Sequence, residues 1–317
     1  MTVICGIDEA GYGPWLGPLV VAASAFRLAD GAREASLHRL VALKDGGGGL
    51  PIDDSKKLWN GPGCMGALET SVLGHVALAR GLLPLRVDTL LEGAVDFVSE
   101  EVDELPWYAA RLMRQRLPRR ADVGQLLERA TRHAELLDDR GLSCVALLVA
   151  PVPEPRFNQV TLLHGSKAWP VFLAAARLIE ALMQRFPREE LVIHVDRQGG
   201  RIHYGELLQG FFPLAPLVVL RERPIESIYR FDFPDRPPVK VHVHVEADAS
   251  KAPVALASLA AKCVRELFME SLNAWFAERQ PGVKPTAGYH RDAHRFLRDV
   301  APLLEHEAPR ERLVRIR

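Results

Sequence analysis

The chain has 317 residues, of which 48% are apolar, so it can form one large α/β domain or one domain with a sizeable insertion. Forty basic residues balance forty acidic ones, and this neutral total argues against tight non-specific binding to polyanions. No run approaches the roughly 18–20 uncharged apolar residues that cross a bilayer, and the N-terminus predicts no secretory signal. Four scattered cysteines without CxxC spacing predict reduced thiols in a cytoplasmic protein.

The first 60 residues contain two predicted strands and a glycine-rich loop. Apolar runs over Val3–Ile7 and Leu19–Phe26 predict strands, and Gly17-Pro18 marks a turn before the second of them. Four consecutive glycines within residues 45–51 predict a flexible loop. The chain is therefore expected to begin with two strands joined by a short connection.

Residues 61–141 differ in character from the rest of the chain. Apolar residues recur there at helical spacing, and many Arg and Glu residues occupy the opposite faces. The predicted helices are Leu82–Phe97, Tyr108–Leu117 and Ala121–Leu137. We interpret 61–141 as a helical insertion into a catalytic domain formed by 1–60 and 142–317. A role as a lid or substrate grip and a purely structural role are both open.

Strands and helices alternate after residue 141. The predicted strands are Cys144–Val149, Leu191–Asp196, Leu217–Leu220 and Val239–Val245. The predicted helices are Lys167–Phe186, Val254–Phe276 and Arg291–Leu304. Strands first and alternation afterwards predict an α/β fold with a mixed sheet flanked by helices and a C-terminal helical region. Ligands of such sheets bind outside the ends of the strands.

Four acidic residues lie at or just beyond predicted strand ends. Asp8 and Glu9 follow the first strand, Asp196 ends the strand LVIHVD, and Asp248 stands between a strand and the long helix. Adjacent carboxylates resist joint ionisation, and a divalent cation is the usual compensation. An all-oxygen set suits Mg²⁺ or Mn²⁺, and two such ions stabilise an in-line phosphoryl displacement. Each acid alone has a simpler explanation; Asp248, for example, could cap the following helix.

Five motifs follow one another in an order that resembles a known family. They are Asp8-Glu9-Ala10-Gly11-Tyr12-Gly13-Pro14 with Gly17-Pro18, then Asp54-Ser55-Lys56-Lys57-Leu58, then Asp196, then Ala247-Asp248-Ala249 with Lys251, Ser258 and Lys262, and finally Gly288-Tyr289-His290 with His294. The ordered set resembles the type 2 ribonucleases H, the ribonuclease HII/HIII family. It covers nearly the whole chain outside 61–141.

The resemblance implies a ribonuclease H-like fold and a two-metal endonuclease. Such an enzyme hydrolyses the RNA strand, or embedded ribonucleotides, in RNA–DNA duplexes and leaves a 3′-hydroxyl. The implied catalytic metal ligands, for Mg²⁺ or Mn²⁺, are Asp8, Glu9, Asp196 and Asp248. The implied substrate contacts are Gly11, Tyr12 and Gly13 at the ribose 2′-hydroxyl, Ser55 and Lys56 at phosphates, and Tyr289 on the sugar.

The chain departs from the family pattern at three places. Tyr12 stands where the family usually has Arg or Lys between the two glycines, so a cation and a phosphate contact are lost there. Arg197 follows Asp196 where glycine is usual, and the insertion at 61–141 is long. These departures indicate a divergent member.

Two other functions are compatible with the same residues. One is a nucleic-acid binding module on the same fold in which catalysis is lost or altered. The other is a nuclease of the same metal chemistry that acts on branched or structured DNA without using the 2′-hydroxyl.

Two pairs of histidines could suggest a further metal site. His242 and His244 alternate on one strand, but without a third ligand nearby they are expected to be ordinary strand residues. His290 and His294 have helical spacing without the Glu of an HExxH motif, so no zinc is expected there.

Overall fold

The computed structural model of the chain describes residues 1–41, 48–52, 64–109 and 111–316. A seven-stranded sheet forms its centre, with the order β3-β2-β1-β4-β7-β6-β5. The strands are β1 (Thr2–Ala10), β2 (Leu19–Leu28), β3 (Leu142–Val152), β4 (Glu190–Asp196), β5 (Leu217–Glu222), β6 (Glu226–Phe231) and β7 (Val239–His244).

The pairing of the strands determines which loops meet. Strands β1, β4 and β7 run parallel to one another, and the other neighbours in the sheet are antiparallel. Ile7 lies opposite Val195, and Asp196 lies opposite His244. The carboxyl ends of β1, β4 and β7 therefore share one edge of the sheet. The predicted α/β fold with a mixed sheet is confirmed.

Helices cover both faces of this sheet. They are α1 (Glu34–Val41), α2 (Cys64–Arg80), α3 (Val87–Leu91), α4 (Ser99–Asp103), α5 (Val123–Asp138), α6 (Glu154–His164), α7 (Ala168–Arg185), α8 (Gly205–Phe211), α9 (Ala252–Arg279), α10 (His290–Asp299), α11 (Ala301–Leu304) and α12 (Arg310–Leu313). Helix α9 lies on one face with α2 and α5, and α7 and α8 lie on the other. The start of α9 is rich in Ala and almost wholly buried, so it can approach the sheet closely.

Two of the helices predicted within 61–141 are wrong. Only Val87–Leu91 is helical within 82–97, and the described residues of 108–117 form turns. The two segments pair through their backbones instead, because Leu117 N–H donates to Leu85 O at 2.9 Å and Val87 N–H donates to Gln115 O at 3.0 Å. Tertiary pairing thus overrides the helical pattern. The third prediction corresponds to α5, and α2 was not predicted.

The segment 61–141 shares a hydrophobic core with α9. Trp107 and Tyr108 are fully buried in this core, and the Tyr108 ring contacts Phe268 of α9 with ring centroids 4.9 Å apart. The Ser271 hydroxyl donates to the Trp107 carbonyl at 2.8 Å. The boundaries of the insertion stay a prediction, but its described part packs as a layer of the main body.

Further differences concern the part of the chain after residue 141. Strand β6 and helices α6, α8 and α12 were not predicted. The single helix predicted over Arg291–Leu304 is two helices, α10 and α11, with Pro302 in the first turn of the second, where its missing N–H costs nothing. None of the helices in the described part of the chain has the length and apolar character needed to span a membrane.

Candidate active site

The four predicted acids meet at the shared edge of the parallel strands. Asp8 and Glu9 lie at the end of β1, Asp196 ends β4, and Asp248 lies in a short 3₁₀ helix, Ala247–Ala249, directly after β7. Asp8 is buried with 7% of its surface exposed, and the other three are partly exposed. The strand ends thus bring together the residues that the sequence places up to 240 positions apart.

Like charges and burial perturb the carboxylates. Burial, followed by the negative charge of Asp196 and then by that of Asp248, raises the pKa of Asp8 from 3.8 to about 8, against the hydrogen bonds of the Ser258 hydroxyl and the Glu9 backbone N–H. Burial, with the charges of Asp8 and Asp196, also raises the pKa of Glu9 well above its ordinary value. A divalent cation would relieve this repulsion.

The turn that carries Asp248 is held against β4. The Ala247 N–H donates to Asp196 Oδ1 at 2.7 Å, and Glu246 adopts a left-handed backbone with φ 51°. The possibility that Asp248 caps the long helix is wrong, because the residue at that position of α9 is Lys251 and no side chain caps the helix there. The carboxylate of Asp248 therefore remains at the cluster of acids, where its charge acts on Asp8.

The glycine loop, which is the connection of residues 11–18 between β1 and β2, lies beside these acids. Gly11 has φ 86°, and a Cβ atom there would lie 2.6 Å from the carbonyl oxygen of Pro18 and from Arg265 Nε. Gly13 is exposed, and no atom lies within 4 Å of where its Cβ would be. Position 11 thus requires glycine for the turn, whereas position 13 leaves open backbone that a ligand could approach.

Arg265 connects the glycine loop to the segment that carries Tyr289. This arginine is 4% exposed, and its Nη2 donates to Ala287 O at 3.0 Å and to Leu16 O at 3.5 Å. Gly288, with φ 83°, accepts a hydrogen bond from the Trp15 N–H at 2.7 Å. Tyr289 follows and is 56% exposed. The two loops therefore form one unit, with an accessible aromatic ring beside the glycine loop.

Cations from other elements surround Tyr12. The Lys167 ammonium lies 5.2 Å from the centre of the Tyr12 ring. Burial and the charge of Glu9 raise the pKa of Tyr12, and the positive charge of Arg201 opposes this shift. A cavity of about 240 Å³ opens beside the ring, lined by Tyr12, Gly13, Pro14, Trp15, Phe157, Lys167, Arg315 and Ile316. Lys167 and Arg201 thus supply positive charge near position 12, where the sequence itself has none.

A buried carboxyl group supports the glycine loop from below. Glu154 is fully buried, and its Oε1 accepts from the Tyr108 hydroxyl at 2.8 Å and from the Gly17 N–H at 3.2 Å. Burial raises the pKa of Glu154 to about 7 despite these donors and the charge of Arg315. Tyr108 belongs to 61–141, so this segment contributes a structural residue to the site.

Replacing Tyr108 by Phe is expected to destabilise the protein by about 1–3 kcal/mol, because Glu154 then loses a hydrogen-bond donor in a buried setting. Urea unfolding of the two proteins measures this difference. Tyr289→Phe is the matched control: its ring is largely exposed, and its stability should stay within about 0.5 kcal/mol of the wild type. Equal unfolding midpoints for Tyr108→Phe and the wild type would contradict the support by Glu154.

Two predicted phosphate contacts, Ser55 and Lys56, lie outside the described residues, together with the rest of Asp54-Ser55-Lys56-Lys57-Leu58. The other predicted site residues are all described. Lys167, Arg201 and Arg265 could not be recognised from the sequence, because each reaches the site from a different element and none belongs to one of the five motifs.

Several solved structures are similar to this chain. RNase HII from Archaeoglobus fulgidus, solved as a complex with PCNA, matches with a TM-score of 0.44 and 17% identity over 99% of this chain and 94% of that chain. Ribonuclease H2 from Pyrococcus horikoshii OT3 matches with a TM-score of 0.44 and 15% identity over 99% of this chain and 92% of that chain. Bst-RNase HIII in complex with Mn²⁺ matches with a TM-score of 0.41 and 14% identity over 99% of this chain and 66% of that chain.

The solved structures that this chain resembles include ribonucleases HII, H2 and HIII. No protein-family model matches the sequence, and no curated protein matches it either.

The surroundings of His242 and His244 differ from the sequence-based expectation. His242 and His244 do have a third histidine nearby, His194 of β4, so the premise of an isolated pair is wrong. His290 and His294 contact the Trp15 ring, with centroids 5.1 and 4.3 Å away, and help to pack the glycine loop.

Proposed function

We propose that this protein is a metal-dependent endonuclease that hydrolyses the RNA strand, or embedded ribonucleotides, in RNA–DNA duplexes and leaves a 3′-hydroxyl. The observation that carries the proposal is the meeting of Asp8, Glu9, Asp196 and Asp248 at one edge of the sheet, beside a glycine loop with open backbone. Each of these residues belongs to a motif that resembles ribonucleases HII and HIII.

The four acids fit a pair of hard divalent cations. They offer only oxygen atoms, and the repulsion that raises the pKa of Asp8 to about 8 is of the kind that cations remove. Asp8, Glu9, Asp196 and Asp248 would hold Mg²⁺ or Mn²⁺. When bound, two such ions supply charge stabilisation to the attacking and leaving oxygens of a phosphodiester. Ser258 and the Ala247 N–H orient Asp8 and Asp196 for this role.

The neighbouring residues favour recognition of a ribose. The exposed backbone at Gly13 can approach a 2′-hydroxyl, which is the group that distinguishes RNA from DNA. Tyr289 presents an exposed ring to a sugar on the far side of the same loop unit. Lys167, above Tyr12, supplies a cation for a phosphate in place of the Arg or Lys that the loop lacks. Ser55 and Lys56 remain proposed phosphate contacts.

The rest of the expected biology belongs to the same proposal. Cys5, Cys64, Cys144 and Cys263 are all free, and three of them are buried, which agrees with a reducing compartment such as the cytoplasm. The partner would be a nucleic-acid duplex that contains ribonucleotides. Helices of 61–141 would form the outer layer of the catalytic body through their shared core with α9.

A panel of end-labelled duplexes tests this function. The panel contains an RNA–DNA hybrid, a DNA duplex with one ribonucleotide and an all-DNA duplex with the same sequence, each with Mg²⁺, Mn²⁺ or EDTA. We expect cleavage of one or both ribonucleotide-containing duplexes, only with metal, and products that a polymerase can extend from a 3′-hydroxyl.

The same panel separates the two other functions. Equal cleavage of the all-DNA duplex would indicate a nuclease that ignores the 2′-hydroxyl. Tight binding of the hybrid without turnover under either metal would indicate a binding module and would overturn the proposal.

A further inference from the structure

Three histidines form a cluster on the sheet next to the carboxylates. His194 lies on β4, and His242 and His244 lie on the neighbouring parallel strand β7, where His194 is the register partner of His242. One ring nitrogen from each histidine lies within 4.8 Å of those of the other two. The nearest pair is His194 Nδ1 and His244 Nε2, which are hydrogen-bonded at 3.0 Å, so an ion bound between them would displace the shared proton. Two imidazoles bound to one tetrahedral zinc ion have nitrogens roughly 3.3 Å apart, given Zn–N distances of about 2.0–2.1 Å.

Carboxylates face the outer nitrogens of the same rings. His194 Nε2 lies 3.0 Å from Glu34 Oε1. His242 Nδ1 and His244 Nδ1 lie 3.6 and 3.4 Å from Glu226 Oε1. These contacts leave Nδ1 of His194 and Nε2 of His242 and His244 to face one another. Histidine ligands of metals commonly have a carboxylate beside their second ring nitrogen, which fixes the tautomer and the orientation of the ring. Glu34 and Glu226 are charged neighbours in that place, although His194 Nε2 makes no hydrogen bond within the described part of the chain.

The three rings lie in a partly buried setting that an ion can reach. Burial and the neighbouring His194 ring lower the pKa of His244 to about 4 and also lower that of His242, against the charge of Glu226. The side chain of His194 is 3% exposed, whereas those of His242 and His244 are 20% and 17% exposed. An ion can therefore enter past β7, and a water molecule can complete its coordination.

We propose that His194, His242 and His244 bind one divalent transition-metal ion, zinc in the first place, at a site separate from the four carboxylates. Three imidazole nitrogens favour Zn²⁺ or Co²⁺ over Mg²⁺, which prefers oxygen ligands. The ion would join β4 to β7 just below Asp196, with Glu34 and Glu226 as outer partners from α1 and β6. This site would rigidify the strand end that presents the catalytic acid.

Cobalt titration tests the site without reference to nuclease activity. The full chain is stripped of metal, placed in millimolar Mg²⁺ to occupy oxygen ligands, and titrated with Co²⁺ while the visible spectrum is recorded. We expect one equivalent of Co²⁺ with the strong absorption of a four-coordinate ion, displaced by one equivalent of Zn²⁺. Zinc should also raise the thermal unfolding temperature in the same background.

Four variants assign the ligands. The double substitution His242→Asn with His244→Asn, and separately His242→Asn alone in case the double variant does not fold, should weaken Co²⁺ binding by about 100-fold or more, since even outer partners of metal ligands contribute 10–100-fold. His203→Asn removes a histidine that is 75% exposed and should bind Co²⁺ as the wild type does. Asp8→Asn should also keep the site.

Three results would overturn the proposal. They are the absence of Co²⁺ and Zn²⁺ binding at micromolar concentration, binding that survives the loss of His242 and His244, and binding that Asp8→Asn abolishes. The last result would place the ion at the carboxylates. The nuclease proposal is unaffected by each of the first two, because Mg²⁺-dependent cleavage is measured separately.

Discussion

Asp8→Asn is expected to lower the rate of ribonucleotide-directed cleavage by at least about 100-fold and, at the same time, to stabilise the metal-free protein. The loss of activity exceeds the 10–100-fold typical of outer partners because Asp8 would contact the metal directly. The gain in stability follows from the buried negative charge, which Asp196 and Asp248 repel. Single-turnover cleavage and thermal unfolding in EDTA measure the two effects.

The stabilising effect should depend on pH with a defined sign. The pKa of Asp8 rises from 3.8 to about 8 on folding, so the folded protein holds a proton that the unfolded chain has released between these values. The free energy of unfolding of the metal-free wild type therefore falls as the pH rises from about 4 to about 8, and Asp8→Asn removes this part of the slope. Its advantage over the wild type should be larger at pH 8.5 than at pH 5.

Divalent metal should reverse the order of thermal stability of the wild type and Asp8→Asn. Mg²⁺ or Mn²⁺ is expected to raise the unfolding temperature of the wild type and to have little effect on Asp8→Asn. Asp30→Asn is the control, because Asp30 is exposed and its substitution changes the net charge by the same amount. An Asp8→Asn protein that is less stable than the wild type in EDTA at pH 8.5 would show that the acids do not repel one another.

The carboxylate cluster could be predicted because the position of each acid depends on local patterns. Apolar runs that end on an acid identify Asp8 and Asp196, and parallel strands place such ends at one edge of a sheet. The order of the strands was not predictable from these patterns, but the mixed sheet was. Asp248 needed only its place between a strand and a helix.

The remaining features depend on contacts between distant segments. Lys167 meets Tyr12 across about 155 positions, and Arg265 joins loops that precede and follow it in the chain. Neither contact leaves a periodic trace in the sequence. His194 lies on the strand that was predicted, yet its neighbours on β7 become visible only when β4 and β7 pair. The predicted helix over 82–97 was wrong in part for the same reason, since residues 85–88 pair through their backbones with residues 113–117 and only Val87–Leu91 is helical.

The close approach of α9 to the sheet should make Gly6→Ala one of the most damaging single changes. A Cβ atom at Gly6 would lie 2.1 Å from the carbonyl carbon of Pro253 and 2.2 Å from the Val254 nitrogen, both of them backbone atoms that cannot rotate away. Ser24, opposite Gly6 on β2, donates to the Pro253 carbonyl at 2.7 Å and holds the helix there. We expect a loss of about 3 kcal/mol or more, at the upper end of overpacking.

An alanine at position 6 should displace α9 and thereby lower the cleavage rate, because the first turn of α9 follows Asp248 directly. A shift of about 1 Å in a positioning element can lower a rate by about 100-fold. Gly6→Ala protein that still folds should therefore lose activity with its four acids intact. Gly13→Ala provides the matched control for stability, since no atom lies within 4 Å of its Cβ position, and its unfolding should differ from the wild type by less than about 0.5 kcal/mol. A Gly6→Ala protein with the urea midpoint and cleavage rate of the wild type would mean that α9 does not hold Asp248 in place against β1.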